Sequence, residues 1–296
     1  MKILISGGTG FIGRHFMARY PDYEYTVLTR DPARAQGQLG DRHVYVTSLD
    51  EVARDAAFDA IINLAGEPIV GRRWNDSQKQ RLNHSRWHIT QAIVDWIAVA
   101  DKKPAVFLSG SAIGIYGVSQ SLTFDESNTA MLEDFSTQLC QRWEREATLA
   151  VSKTRVVLLR TGIVLAADGG ALAQMLPPFK LGFGGPVGSG QQWMSWIHMQ
   201  DYLAALHHLL VSSECIGAYN LTAPEPVTNE RFVKALAEAL HRPCFVRVPA
   251  FAMKLLLGEA STLLLEGQRV IPKRLLNAGF TFNFPHIEDA MLDILT

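Results

Sequence analysis

The stretch that decides the fold is KILISGGTGFIG, residues 2–13. Lys2–Ser6 is a short apolar run that reads as a strand, and Phe11–Tyr20 reads as a helix. Gly7, Gly10 and Gly13 fall between and just inside them. A tight turn at this point exposes backbone N–H groups, and a helix N-terminus favours negative charge, so the arrangement suits a pyrophosphate. Glycine triplets are common in turns, and an ordinary strand-to-helix connection is the alternative. The position after a first strand and before a helix is the context that favours a dinucleotide site.

Outward from this loop the pattern repeats. Tyr25–Thr29, His43–Thr47, Ala60–Leu64, Ala105–Ser109 and Arg155–Arg160 read as further strands, with helices near Ser77–Ala100 and Phe135–Val151. Strands alternating with helices imply an α/β, Rossmann-type doubly wound parallel sheet. Gly162 to Gly190 is rich in glycine and proline, around one short helix expected at Ala171–Met175. Helices at Gln200–Val211 and Asn229–Leu240 and a strand at Ala218–Leu221 follow, with Pro272 opening one late helix and Pro285 just ahead of the last. The expected division is a dinucleotide-binding domain over 1–165 and a smaller C-terminal substrate lobe over 166–296. Segments near 197–222 are free to return to the first domain.

The 296 residues are 48% hydrophobic and 19% charged, enough apolar content for a sizeable core. A net charge of −1 gives no general attraction to nucleic acid or anionic membrane. Any anion must therefore be held by local groups. Cys140, Cys215 and Cys244 are too scattered for a disulfide framework or a zinc knuckle, which suits a reducing compartment. Phe251–Leu265 is apolar but interrupted by Lys254, Gly258 and Glu259, so a packed helix is expected rather than a membrane span. A cytoplasmic chain, monomer or homodimer, with a small-molecule substrate and no metal is the expectation.

The end of the second strand selects the cofactor. An acidic residue there binds the ribose 2′-hydroxyl of NAD, whereas a basic one accommodates the 2′-phosphate of NADP. Thr29 and Arg30 occupy this end, with Arg34 a turn later, and favour NADP. Asp31 is the counter-argument, and a solvated surface charge is the alternative for Arg30. Asn63, Leu64, Ala65 and Gly66 close another strand with mainly small residues, as a ligand passing close to the backbone requires; a plain turn is the alternative.

GGTGFIG at 7–13, NLAG at 63–66, SGSAIGIYG at 109–117 and LNHSRWHITQAIV at 82–94 together resemble the extended short-chain dehydrogenase/reductases, the NAD-dependent epimerase/dehydratase family. NLAGEPI at 63–69, RRW at 72–74, FGGPVGSGQQWMSWIH at 183–198 and LLEGQRVIPKRL at 264–275 resemble an atypical subgroup described as sugar-nucleotide epimerases. The resemblance covers essentially the whole chain. It implies a nicotinamide cofactor held by Gly7, Thr9, Gly10, Phe11, Ile12, Gly13, Thr29, Arg30, Asn63, Leu64, Ala65, Gly66, Arg86 and Ile163. It also implies a substrate pocket between the lobes.

The family's catalytic set does not carry over. Ser111 matches the serine of the Ser, Tyr-x-x-x-Lys pattern, but alignment on Glu144 puts Ser136 at the tyrosine and Cys140 at the lysine. An alkyl hydroxyl is too weak an acid to replace a phenol, and a neutral thiol lacks the lysine's charge. Arg86 stands where the family has a helical asparagine. Four residues are candidates for the altered chemistry: Ser111; Tyr116 as proton donor; Arg86 as a permanent charge near the cofactor or substrate; and Cys140 as a thiol activated by Arg86. Pocket lining for Tyr116, a surface charge for Arg86 and a core position for Cys140 are the plainer alternatives. Trp193 and Trp196 suit either a flat ligand or an inter-lobe core, and His198 either a proton shuttle or a core histidine. Asp201 is expected as an N-terminal helix carboxylate. Two functions remain open: an NADP-dependent oxidoreductase or epimerase-like enzyme, and a non-catalytic NADP(H)-binding sensor.

Overall fold

The computed structural model describes residues 1–128 and 133–296. Its centre is a seven-stranded parallel sheet of β1 (Lys2–Ser6), β2 (Glu24–Leu28), β3 (Val44–Val46), β4 (Ala60–Asn63), β5 (Val106–Ala112), β7 (Arg155–Thr161) and β11 (Gly217–Leu221). The spatial order is β11-β7-β5-β4-β1-β2-β3, so the direction of winding reverses between β1 and β4. Ligands of such sheets bind in the crevice at the carboxyl ends of the strands on either side of that reversal.

Helices cover both faces. Ile3 and Ile5 of β1 point into one core with Phe16 of α1 (Phe11–Arg19) and Tyr202 and Leu206 of α6 (Met199–Val211). Leu4 points the other way, with Ile61 and Phe107, onto Ile93 and Ile97 of α3 (Asp76–Val99) and Ala147 of α4 (Phe135–Thr148). This period-2 division of a strand with an apolar centre, Ile3–Ile5, is what a doubly covered sheet requires. α2 (Pro32–Leu39) connects β2 to β3. Strand β11 and helix α6 belong to this sheet, and α10 (Lys273–Asn277) lies against β11 with Leu275 in the same core.

A second core joins α5 (Gly170–Lys180), α7 (Asn229–Ala239) and α11 (Ile287–Leu295) through Leu172, Leu176, Phe179, Phe232, Leu236 and Ile287. Short strand pairs stitch this lobe to the sheet. β8 (Ile163–Leu165) runs parallel to β10 (Trp196–His198), and β9 (Trp193–Met194) is antiparallel to β12 (Val227–Thr228). β6 (Thr123–Phe124) is parallel to β13 (Arg269–Val270).

Two expectations need correction. The helix expected at Ala171–Met175 continues to Lys180 through Pro177 and Pro178, because Leu176 and Phe179 bury its later turns in the second core. The apolar segment after residue 250 does form helices, α8 (Ala250–Leu257) and α9 (Thr262–Leu265), but α8 buries none of its residues, and Phe251, Leu255 and Leu256 face outward. Among the described residues no helix is long and apolar enough to cross a membrane.

Candidate dinucleotide site

The loop between β1 and α1 can be built only from glycine at two points. Gly7 has φ +74°, and a Cβ there would lie 2.6 Å from the carbonyl of Leu64. A Cβ on Gly13 would lie 2.3 Å from the carbonyl oxygen of Gly7. The turn is closed by the Gly10 amide on the Gly7 carbonyl (2.9 Å), and the first bond within α1 runs from the Arg14 amide to the Gly10 carbonyl (3.1 Å). Gly10 is the N-cap, no side chain caps the helix, and its first turn holds no acidic residue. The N-terminal amides, with Thr9, Phe11 and Ile12 around them, thus form a positive, uncapped cradle.

Across the crevice Asn63 is fully buried, and its side chain is engaged on both ends. Its Oδ1 accepts from Ser6 Oγ (2.6 Å), and its Nδ2 donates to Thr90 Oγ1 (2.8 Å). Asn63 therefore ties β1, β4 and α3 together, while Leu64, Ala65 and the exposed Gly66 carry the chain along the cradle. Phe11 faces the second lobe: a Cβ on Gly169 would lie 2.4 Å from its ring. Ile163 stands half-buried at the start of β8.

At the end of β2, Asp31 is the N-cap of α2 and accepts from the Arg34 amide (3.0 Å), with Pro32 as the first helical residue. Its own amide donates to Thr29 Oγ1 (3.3 Å). The carboxylate is thus used locally. Arg30 and Arg34 are exposed and form no ion pair among the described residues.

The residues proposed for catalysis are placed differently. Ser111 is buried, and its Oγ donates to Glu144 Oε1 (2.6 Å). Arg160 holds the same carboxylate through Nε (2.8 Å) and Nη2 (2.9 Å), and its Nη1 donates to the Tyr116 hydroxyl (2.8 Å). That hydroxyl donates to Asn220 Oδ1 (2.7 Å). Tyr116 is wholly buried, and burial pushes its phenol up to about 12 against the partial offset of Arg160. This sequestered phenol, with both hydrogen-bonding roles filled, is a strut between β5, β7 and β11. Cys140 is likewise buried, and burial reinforced by the Glu144 charge pushes its thiol up to about 12, more than Arg86 can offset. Ser136 lies against Gly114, and its Cβ would be 3.4 Å from a Cβ there.

Arg86 is brought to the site. It is 9% exposed, donates through Nη2 to the Glu67 carbonyl (3.0 Å) and through Nη1 to the Leu82 carbonyl (3.1 Å), and lies over the Trp143 ring. The plainer alternative of a surface charge is excluded. The tryptophan pair is split: Trp196 is wholly buried with its Nε1 on the Glu225 carbonyl, whereas half-buried Trp193 stacks with Arg269. His198 is the buried N-cap of α6, and burial lowers its imidazole. Asp201 sits in the first turn of α6, but its carboxylate accepts from the amides of Asn283 and Phe284 and so anchors the C-terminal segment. Among the described residues no group of three or more His, Cys, Asp or Glu side chains can hold a metal ion.

The profile of the NAD-dependent epimerase/dehydratase family matches residues 3–222. The chain belongs to this family. Residues 248–294 of this epimerase-family chain match a domain of unknown function, DUF1731. It is similar to the chloroplastic epimerase family protein SDR39U1 homolog of Arabidopsis thaliana, 38% identical over all of this chain and 87% of that protein. The human epimerase family protein SDR39U1 is 35% identical, with both chains covered completely. The crystal structure of human SDR39U1 isoform 2 with NADPH superimposes with a TM-score of 0.92 at 34% identity, covering 100% of this chain and 99% of the other. UDP-glucuronic acid 4-epimerase of Bacillus cereus shares the fold at a TM-score of 0.77 and 16% identity, over 100% of this chain and 98% of that one.

The Glu144–Arg160 pair and Asn220 escaped the sequence reading, because their meeting depends on the sheet order. The sequence analysis weighs Asp31 only as a cofactor ligand, although an Asp-Pro step is also a helix-start signal that fits its N-cap role.

Proposed function

We propose that this epimerase-family chain binds NADP(H) and exchanges hydride with a small polar substrate without the family's Tyr-x-x-x-Lys pair. The observation that carries the cofactor choice is Asp31 Oδ1 on the Arg34 amide. With that carboxylate committed to α2, Thr29 and Arg30 are left at the end of β2 to take a 2′-phosphate. The uncapped start of α1, with Gly7, Thr9, Gly10, Phe11, Ile12 and Gly13, suits the pyrophosphate. Leu64, Ala65, Gly66 and Ile163 suit the nicotinamide half, with Asn63 fixing the strand end from within. The human relative solved with NADPH supports the same choice. When bound, the dinucleotide supplies or accepts hydride; the chain's residues hold and orient it. Unpaired Cys140, Cys215 and Cys244 suit a reducing compartment such as the cytoplasm.

A specific observation favours a second reading, a non-catalytic NADP(H)-binding sensor. The hydroxyls of Ser111 and Tyr116 both donate within the protein, to Glu144 and Asn220. Fluorescence titration tests the cofactor choice. NADPH should bind at least about tenfold (about 1.4 kcal/mol) more tightly than NADH, Arg30→Ala should remove that gap, and Asp31→Ala should keep it. Equal binding of the two by the unaltered chain would overturn NADP specificity. Oxidation of bound NADPH by any member of a carbonyl-compound panel then separates the enzyme from the sensor.

A further inference from the structure

In a doubly wound sheet the two halves of a dinucleotide lie on the two sides of the winding reversal. Here the uncapped α1 and the Thr29–Arg30 corner serve the half over β1–β3. The other half therefore lies over the carboxyl ends of β4 and β5. Arg86 sits in this second half. Its guanidinium lies under Gly66, just past β4, where a Cβ would come within 3.1 Å of Cζ. Its other neighbour, Trp143, reaches β5: the Trp143 ring lies 2.8 Å from where a Cβ on Gly110 would be.

No carboxylate hydrogen-bonds the Arg86 guanidinium, although the Glu67 carboxylate lies near enough to act on its charge. Its hydrogen-bond acceptors are the carbonyls of Glu67 and Leu82 and the hydroxyl of Ser85, all neutral. The Glu67 carboxylate pairs instead with Arg72 (3.8 Å), and Glu144 with Arg160. The adjacent Cys140 thiol is buried and neutral. A buried guanidinium hydrogen-bonded only to neutral groups, and offset only in part by Glu67, leaves this end of the crevice with a fixed positive charge. In a poorly solvated site such a charge acts at longer range than in water.

We propose that Arg86 sets the redox preference of the bound nicotinamide. The oxidised ring carries a positive charge and the reduced ring none, so Arg86 disfavours the former and the site selects NADPH over NADP⁺. This inference rests on the dinucleotide reading above. Its consequence is that the bound couple has a raised reduction potential, and the resting protein is loaded with the reduced cofactor.

The test compares dissociation constants of NADPH and NADP⁺ for the unaltered chain, Arg86→Lys and Arg86→Gln. The unaltered chain should favour NADPH by about tenfold, which corresponds to about 30 mV in the potential of a two-electron couple. Arg86→Lys keeps the charge and should keep the ratio, even if both forms bind more weakly. Arg86→Gln should bring the ratio to near unity, chiefly by tighter NADP⁺ binding. A purely structural role for Arg86 weakens both forms alike and leaves the ratio where it was. That outcome, or an unaltered chain with no preference, overturns the inference while leaving the dinucleotide reading intact. If neither form binds, the dinucleotide reading fails and the inference fails with it.

Discussion

The two ends of the crevice are built on opposite plans. At the glycine loop, backbone groups are left without internal partners: α1 starts on a glycine with no capping side chain and no acidic residue in its first turn. At the end of β5, side-chain groups are internally matched, with Ser111, Glu144, Arg160, Tyr116 and Asn220 forming one chain of contacts. The first end leaves its polar groups free for a ligand; the second, apart from Arg86, satisfies its polar groups internally. An uncapped helix start and a self-satisfied side-chain network thus sit side by side at one sheet edge.

The largest expected effect that tests this contrast is on stability. Glu144→Ala leaves Arg160 buried without its carboxylate and should lower the unfolding free energy by about 3–5 kcal/mol in urea denaturation. A loss within experimental error would mean that the network is not structural. Next, Gly13→Ala drives a Cβ toward the Gly7 carbonyl and should weaken NADPH binding about a hundredfold, or about 2.7 kcal/mol. Unchanged affinity would show that the loop is an ordinary turn.

The smallest effect is that of Tyr116→Phe, which should cost about 1–2 kcal/mol of stability while NADPH affinity stays the same. Its pH dependence has a definite sign. The phenol titrates at about 12 in the fold against 10.0 as its ordinary value, so its contribution is fully present below pH 10 and lost as pH rises toward 12. Unaltered and Tyr116→Phe proteins should therefore converge in that alkaline window. A fall in NADPH affinity for Tyr116→Phe would return the phenol to the site.

The same contrast explains how much was legible in the sequence. The strand–glycine–helix turn is encoded by residues adjacent in the chain, KILISGGTGFIG, and the parallel sheet by the alternation of strands and helices that follows it. The second end is assembled across the sheet. Ser111 and Glu144 are 33 residues apart, and Tyr116 and Asn220 are 104 apart. No local pattern signals that a hydroxyl is already satisfied by a partner so distant. The sequence around Tyr116 and Cys140 likewise carries no sign that both side chains are buried. Pro177 and Pro178 misled for a related reason, since the core contacts that carry α5 past them lie on α7 and α11.

The most direct measurement is a crystal structure of the chain with NADPH. The account predicts the pyrophosphate on the amides at the start of α1, the 2′-phosphate against Thr29 and Arg30, and Arg86 under the nicotinamide half. It also predicts Ser111 and Tyr116 still hydrogen-bonded to Glu144 and Asn220. A 2′-phosphate turned away from Arg30, or a Tyr116 hydroxyl released onto the nicotinamide ribose, would contradict it.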